Sequence, residues 1–227
     1  MTPDLRPHQL AAELRRRGEL DQAVRARMTS GRRAAGREFA GVDDGNTAWL
    51  KAVVDAVGWP GRSFVGEEGA HTAWLLAQHA DRDPAFQRRC LGLLRQAVDD
   101  GEAAPADLAY LTDRVLLAGG EPQLYGTQLT ARDGRLMPCR LRDPDTVDDR
   151  RAAAGLEPLD SYLRHVLELN GPPAPARITC TRCDQPVDLW LPEPGETVTL
   201  RCPSCGSRAR IRAGRPGVPV RGRILEI

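Results

Sequence analysis

Aromatic residues make up only 4% of this sequence, and lysine occurs once, at position 51. The 41% hydrophobic content is adequate for a packed core, but that core must be built mainly from Leu, Ala and Val. The near-exclusive use of arginine reads as the compositional habit of a high-GC bacterial genome rather than as a nucleic-acid signal. A net charge of +1 provides no long-range attraction to polyanions. No run of about 18 apolar residues occurs, which excludes a helical membrane span and a membrane partner. The N-terminal stretch MTPDLRPHQLAAELRRRGEL has no apolar h-region and no small-residue cleavage site, so the expected location is the cytoplasm. Also missing are G-x-S-x-G, a P-loop, a dinucleotide fingerprint and H-E-x-x-H, which leaves the familiar cofactor chemistries unsupported.

At 227 residues the chain suits one medium domain plus a small appendage. Leu10, Leu14, Leu20 and Val24 form a helical stripe interrupted at Gly18, and TSGRRAAGREFAG reads as a loop. Trp49, Leu50, Val53, Val54 and Val57 mark a second helix, and Ala70, Ala73, Trp74 and Ala77 a third that is apolar nearly all round and hence central. Asp83-Pro84 predicts a helix start: aspartate caps, and proline at the first helical position loses only a donor that would be unpaired. Phe86, Cys90, Leu91, Leu94 and Val98 follow, then a fifth helix through Leu108, Leu111, Val115 and Leu116 that ends at Gly119-Gly120. QLYGTQLTARDGRLMPCRL predicts a short β-hairpin turning at Asp133-Gly134. On its first strand Gln123, Tyr125 and Thr127 share one face, with Gln128 on the other unless Gly126 introduces a bulge. Helical stretches around 147–154 and 159–169 complete the main part.

The sequence divides into an N-terminal helical extension (1–36), a helical domain (37–169), a proline-rich linker (170–176) and a C-terminal region (177–227). That region holds Cys180-x2-Cys183 and Cys202-x2-Cys205, 18 residues apart. Two such pairs, without an export signal, point to a tetrahedral four-cysteine site for structural Zn2+ rather than to disulfides. Four thiolates leave no open position for a catalytic water. Gly206 permits the left-handed turn such a knuckle needs, and alternating residues in 187–191 and 197–200 predict the strands of a zinc ribbon. Metal binding would supply the folding energy that a fragment of about 50 residues lacks. Cys90 and Cys139 read as buried or half-buried free thiols. The fold class expected is therefore mainly α with a short β-hairpin, plus a small all-β zinc ribbon. Residues 170–227 contain nine arginines against five acids. Arg208, Arg210, Arg212, Arg215, Arg221 and Arg223 could contact phosphates, against the plainer readings of a solvated strand face or a protein-docking module. Apart from Trp190, which suits a core, no interleaved aromatics are present to stack bases.

Four blocks, NTAWLKAVVDAVGWP (46–60), VGEEGAHTAWLLAQHADRDPAFQRRCL (65–91), LAYLTDRVLLAGGEPQLYGTQ (108–128) and VDDRRAAAGLEPLDSYL (147–163), resemble a bacterial family known as domain of unknown function 6624, over about residues 40–165. The resemblance implies a mostly helical domain with recurring polar positions at Asn46, Gln78, His79, Asp81, Gln87, Asp113, Arg114, Gln123, Tyr125, Gly126, Thr127, Gln128 and Arg151. It implies no reaction and no fixed histidine at His71.

His79 ends an apolar helix, where the helix dipole would raise its pKa and Asp81 or Asp83 could orient the ring as a general base. The reading that follows is a hydrolase or acyl-transfer enzyme acting on a polar small molecule or peptide. His79, Asp81 and Asp113 form its catalytic set, Gln123, Tyr125 and Gln128 hold the substrate, and Arg114 pairs with Asp113 or an anionic group. The competing view of His79 is a hydrogen-bonded structural residue, and a metal site of His79, Asp83 and Asp113 is a lesser option. The alternatives are a non-enzymatic regulatory protein whose ribbon binds nucleic acid or a protein partner, and an interaction scaffold.

Overall fold

The computed structural model describes residues 6–29, 35–173, 175–190, 192–193 and 196–212, and all that follows concerns these residues. The protein is mainly helical with a small β part. Its helices are α1 (Pro7–Thr29), α2 (Ala35–Val57), α3 (Arg62–Gln78), α4 (Pro84–Asp99), α5 (Pro105–Ala118), α6 (Val147–Ala153) and α7 (Leu159–Asn170). Six short strands form three separate antiparallel hairpins: β1 (Leu129–Arg132) with β2 (Arg135–Pro138), β3 (Ala176–Thr179) with β4 (Pro186–Leu189), and β5 (Thr197–Arg201) with β6 (Arg208–Arg212). No helix is long and apolar enough to cross a membrane. The chain forms two compact units, Met1–Val115 and Leu116–Ile227, with α5 running across the division.

In the first unit α1 and α2 form an antiparallel pair: Arg17 meets Asn46, Arg25 meets Asp43 and Arg27 meets Glu38. By contrast, α3 runs parallel to α1, with Arg15 on Glu68, Gly18 beside Thr72 and Asp21 on His79. Leu10, Leu14, Leu50, Val53, Leu76 and Leu94 are fully enclosed between these helices and α4 or α5. Nine residues of α3 are buried, as its nearly all-round apolarity predicts. The segment expected to be a loop after α1 is helical from Ala35 onward, because Phe39 continues the buried face of α2; residues 30–34 lie outside the described set.

Asp83 caps α4 as expected, its carboxylate accepting from the Phe86 N–H at 3.0 Å, with Pro84 at the first helical position. In the second unit Asp133 and Gly134 both have positive φ (51° and 77°), the two-residue turn that matches strand twist. Regular pairing covers only Leu129–Arg132 and Arg135–Pro138. The expected alternation of Gln123, Tyr125 and Thr127 on a strand is therefore not observed: Gly126 at φ 71° breaks the extended backbone there.

Gly18 does not interrupt α1; it brings α1 against α3. A Cβ at this position would lie 2.8 Å from Thr72 Cγ2. Thr72 cannot easily rotate away, because its hydroxyl donates to the Glu68 carbonyl at 2.8 Å. Gly18→Ala should destabilise wild-type protein yet become neutral or stabilising in a Thr72→Ser background, where the methyl is gone and the helix-propensity gain remains. Urea unfolding of the four-member cycle should give a coupling of about 1–2 kcal/mol; additive effects would contradict close packing at this point.

Candidate functional site

The first unit contains a buried polar cluster centred on Asp21. This carboxylate is 1% exposed although it sits on the apolar stripe of α1. One of its oxygens accepts from His79 Nδ1 at 2.8 Å, Arg25 Nε at 3.1 Å and Gln22 Nε2 at 3.1 Å. Arg25 reaches on to Asp43 at 2.9 Å and lies over the Phe39 ring. Burial raises the pKa of Asp21, but the hydrogen bond from His79 and the charges of His79 and Arg25 outweigh it, so the carboxyl is held below its usual value. Asp21 is thus ionised and can only accept, which assigns the proton between the pair to His79 Nδ1. Among the described residues Nε2 has no hydrogen-bond partner.

The orienting carboxylate is therefore Asp21, supplied by another helix, rather than Asp81 or Asp83. The pKa of His79 is also shifted in the direction opposite to that expected from the helix dipole. Burial pushes it below its ordinary value, and the nearby Arg25 and Arg114 cations reinforce this against the attraction of Asp21. The side chain is 15% exposed. Loss of hydration of the imidazolium is the dominant effect, so the neutral ring prevails at pH 7.

Asp81 is engaged elsewhere. Arg114 closes on it with two bonds, Nε to Oδ1 at 2.8 Å and Nη2 to Oδ2 at 2.6 Å, and Gln87 donates a third at 3.1 Å. The sequence reading gave Asp113 or an external anion as the partner of Arg114. Positions 113 and 114 diverge by about 100° on a helix, and Arg114 faces the turn after α3 that carries Asp81. Asp113 is completely buried. Asp83 spends its carboxylate on the α4 cap and on Lys51 at 2.7 Å. Two buried amide atoms, Asn46 Nδ2 and Gln78 Oε1, have no hydrogen-bond partner.

His71 also pairs with a carboxylate, Asp107, at 3.2 Å, but its side chain is 57% exposed. There the hydrogen bond outweighs burial and the pKa rises. The two histidines carry similar partners and differ mainly in hydration, so the buried one is the stronger candidate for a neutral base.

The remaining predicted residues belong to the second unit. Gln123 is fully buried, and its amide nitrogen donates to the Gln128 and Cys139 carbonyls at 2.9 and 2.8 Å while its oxygen accepts from the Gln128 N–H at 3.0 Å. It clips this loop to the β1–β2 hairpin and has no donor left for a substrate. Gln128 is buried, with its Nε2 3.2 Å from Thr127 Oγ1, and Tyr125 is half-buried. Arg151 is buried at 1% exposure, bonded to the Tyr125 and Glu157 carbonyls and stacked on Tyr162, which makes it a clamp on the 123–128 segment.

The Sγ atoms of Cys180, Cys183, Cys202 and Cys205 all lie within 4.8 Å of one another and could hold a metal ion. The two knuckles repeat one hydrogen-bond pattern. The N–H of Asp184 donates to the Cys180 carbonyl and that of Gly206 to Cys202, both at 2.9 Å; the N–H groups of Cys180 and Cys202 donate to Gln185 and Ser207. Gly206 takes the expected left-handed conformation (φ 74°), and Asp184 does the same in the first knuckle (φ 54°). The Ser207 hydroxyl and the backbone N–H groups of Arg182 and Cys183 lower the Cys180 thiol to about 6. Cys90 and Cys139 are buried apart from this cluster, and burial lifts Cys90 to about 12.

Residues 7–171 match the Family of unknown function (DUF6624). The chain belongs to this family. No curated protein and no solved structure matches the sequence. The DUF6624 span is wider than the four blocks that carry the resemblance and takes in α1, hence Asp21 and Arg25; the four cysteines lie beyond it. Sequence reasoning missed Asp21, Arg25 and Asp43, although a signal was present. Leu10, Leu14, Asp21 and Val24 fall on one face of α1, and Phe39, Asp43, Asn46, Leu50 and Val53 on one face of α2, so each core stripe contains a carboxylate.

Asp43 is raised to about 7, first by burial and then by repulsion from Asp21, Asp81 and Asp44, against the attraction of Arg25. Its folded value lies above its unfolded one, so ionisation opposes folding: the effect is absent in acid and grows as pH rises toward 7. The stability of Asp43→Asn relative to wild type should climb between about pH 4 and 7, by on the order of 3 kcal/mol, and then level off. Parallel stability curves across that range would contradict the assigned environment.

Proposed function

We propose that the helical unit is a hydrolase or acyl-transfer enzyme in which His79 is the general base and Asp21 the residue that orients it. The observation that carries this reading is the 2.8 Å bond from His79 Nδ1 to an ionised, buried carboxylate, with Nε2 left unengaged on a ring that burial keeps neutral. Nε2 would take a proton from an attacking water or hydroxyl, and Asp21 would stabilise the imidazolium that forms before the proton passes to the leaving group. Asp81 and Arg114, fixed on each other, position the turn that carries His79. The substrate class we take is a polar small molecule or peptide; Asn46 Nδ2 and Gln78 Oε1, together with Trp59 and Trp74 Nε1, are the buried side-chain polar atoms without protein partners among the described residues of this unit. The reading rests on residues of Met1–Val115 alone.

For the C-terminal module we infer a structural zinc ribbon, and with it a reducing compartment such as the cytoplasm. The Sγ pairs Cys180–Cys205 and Cys183–Cys202 are 3.8 and 3.7 Å apart. A tetrahedron with metal–sulfur bonds of about 2.3 Å has edges of about 3.8 Å; these two pairs match that edge and the other Sγ separations stay within 4.8 Å, which supports Zn2+. Zinc would tie the two hairpins together around a small apolar cluster of Val187, Ile178 and Leu200.

Turnover of a panel of aryl esters, aryl amides and short peptides tests the enzyme reading. His79→Gln should lower it about 100- to 10,000-fold, and wild-type activity should fall away in acid, below the ordinary histidine value of 6.5, as the base is protonated. Unchanged turnover in the variant removes His79 from the chemistry. For the ribbon, purified protein should contain about one equivalent of zinc; chelation should melt the β3–β6 hairpins while helical circular dichroism persists. A metal-free protein with the same hairpin signals would contradict it.

A further inference from the structure

The β5–β6 hairpin has two unlike faces. Its inner face is Val198, Leu200, Ala209 and Ile211; its outer face is Thr197, Thr199, Arg201, Arg208, Arg210 and Arg212, all exposed. Cross-strand register places Arg201 directly opposite Arg208, with Thr199 opposite Arg210 and Thr197 opposite Arg212. Like charges in directly opposed positions destabilise a sheet. Among the described residues none of these four arginines has a carboxylate partner, whereas Arg177 on the neighbouring hairpin is paired with Asp188 at 2.8 Å. The sequence continues the pattern: from 197 to 225 there are seven arginines and no acidic residue.

We propose that this face binds the phosphate backbone of double-stranded nucleic acid, without base specificity. Arginine's planar fork suits phosphate oxygens, and alternate strand residues repeat every ~6.8 Å, an even row of cations suited to a periodic polyanion. A two-stranded ribbon is narrow enough to enter a major groove. The face carries no apolar or aromatic side chain, so it lacks the anchors of a protein interface and the stacking platform that single strands use. The small net charge of the whole chain does not oppose this, because the opposing acids lie on other elements and screening confines the effect to about 10 Å. The inference is independent of His79.

The test is binding of full-length, zinc-loaded protein to a mixed-sequence duplex of about two helical turns, followed by fluorescence anisotropy as salt is varied. Four phosphate contacts predict a slope of log K against log salt of about −3.6, hence a roughly 150-fold loss of affinity between about 50 and 200 mM salt. The triple variant Arg208→Gln, Arg210→Gln, Arg212→Gln, with zinc content unchanged, should retain a slope of about −0.9 and lose only about 4-fold over the same range. A slope unaltered by the triple variant, or no duplex binding at the low-salt end, overturns the proposal. So does tighter binding to a single strand of the same length, to an acidic peptide or to anionic vesicles than to the duplex.

Discussion

Burying the Asp21 carboxylate is the constraint around which the helical unit is arranged. An ionised carboxylate out of water is costly unless cations and donors surround it. Here α1 provides Gln22 and Arg25, and the end of α3 provides His79. Such an arrangement needs α1 and α3 parallel and close, which the missing side chain at Gly18 allows beside Thr72. Arg25, drawn in by Asp21, also meets Asp43 on α2, so a single buried charge links three helices. The same burial that makes Asp21 demanding depresses the pKa of His79 and lifts that of Asp43.

Beyond the DUF6624 span stands a module of different physics. Its hairpins bury few apolar residues, and its most specific feature is four sulfurs held within 4.8 Å of one another by two knuckles of matching hydrogen-bond pattern. A site of this kind stabilises by coordination what a small core cannot. Strand alternation then turns every polar residue of β5 and β6 outward, so a modest excess of arginine becomes a concentrated cationic face.

What could be read from the sequence followed periodicity and spacing. The Asp83-Pro84 start, the Asp133-Gly134 turn and the paired cysteines depend on residues close together in the chain, and each was legible. The partner of His79 was not. Asp21 lies 58 positions earlier, and nearby Asp81 and Asp83 were the natural choices until Arg114 and the α4 cap proved to hold them. The sign of the His79 shift failed for a related reason: a helix end argues for a raised value, whereas burial, a property of the packed unit, argues for a lowered one. Gln123 misled because a buried amide that clips backbone and one that binds a ligand are identical as letters. Gly126 broke the strand on which Tyr125 was expected to alternate.

The central claim is that His79 is a neutral imidazole held by Asp21. The most direct measurement is the pH titration of the His79 ring signals by NMR in wild-type and Asp21→Asn protein. The account predicts a wild-type midpoint below 6.5, with Nδ1 carrying the proton above it, and a still lower midpoint in the variant, where burial is kept but the negative charge is lost. A midpoint above 6.5, or one indifferent to Asp21, would contradict it.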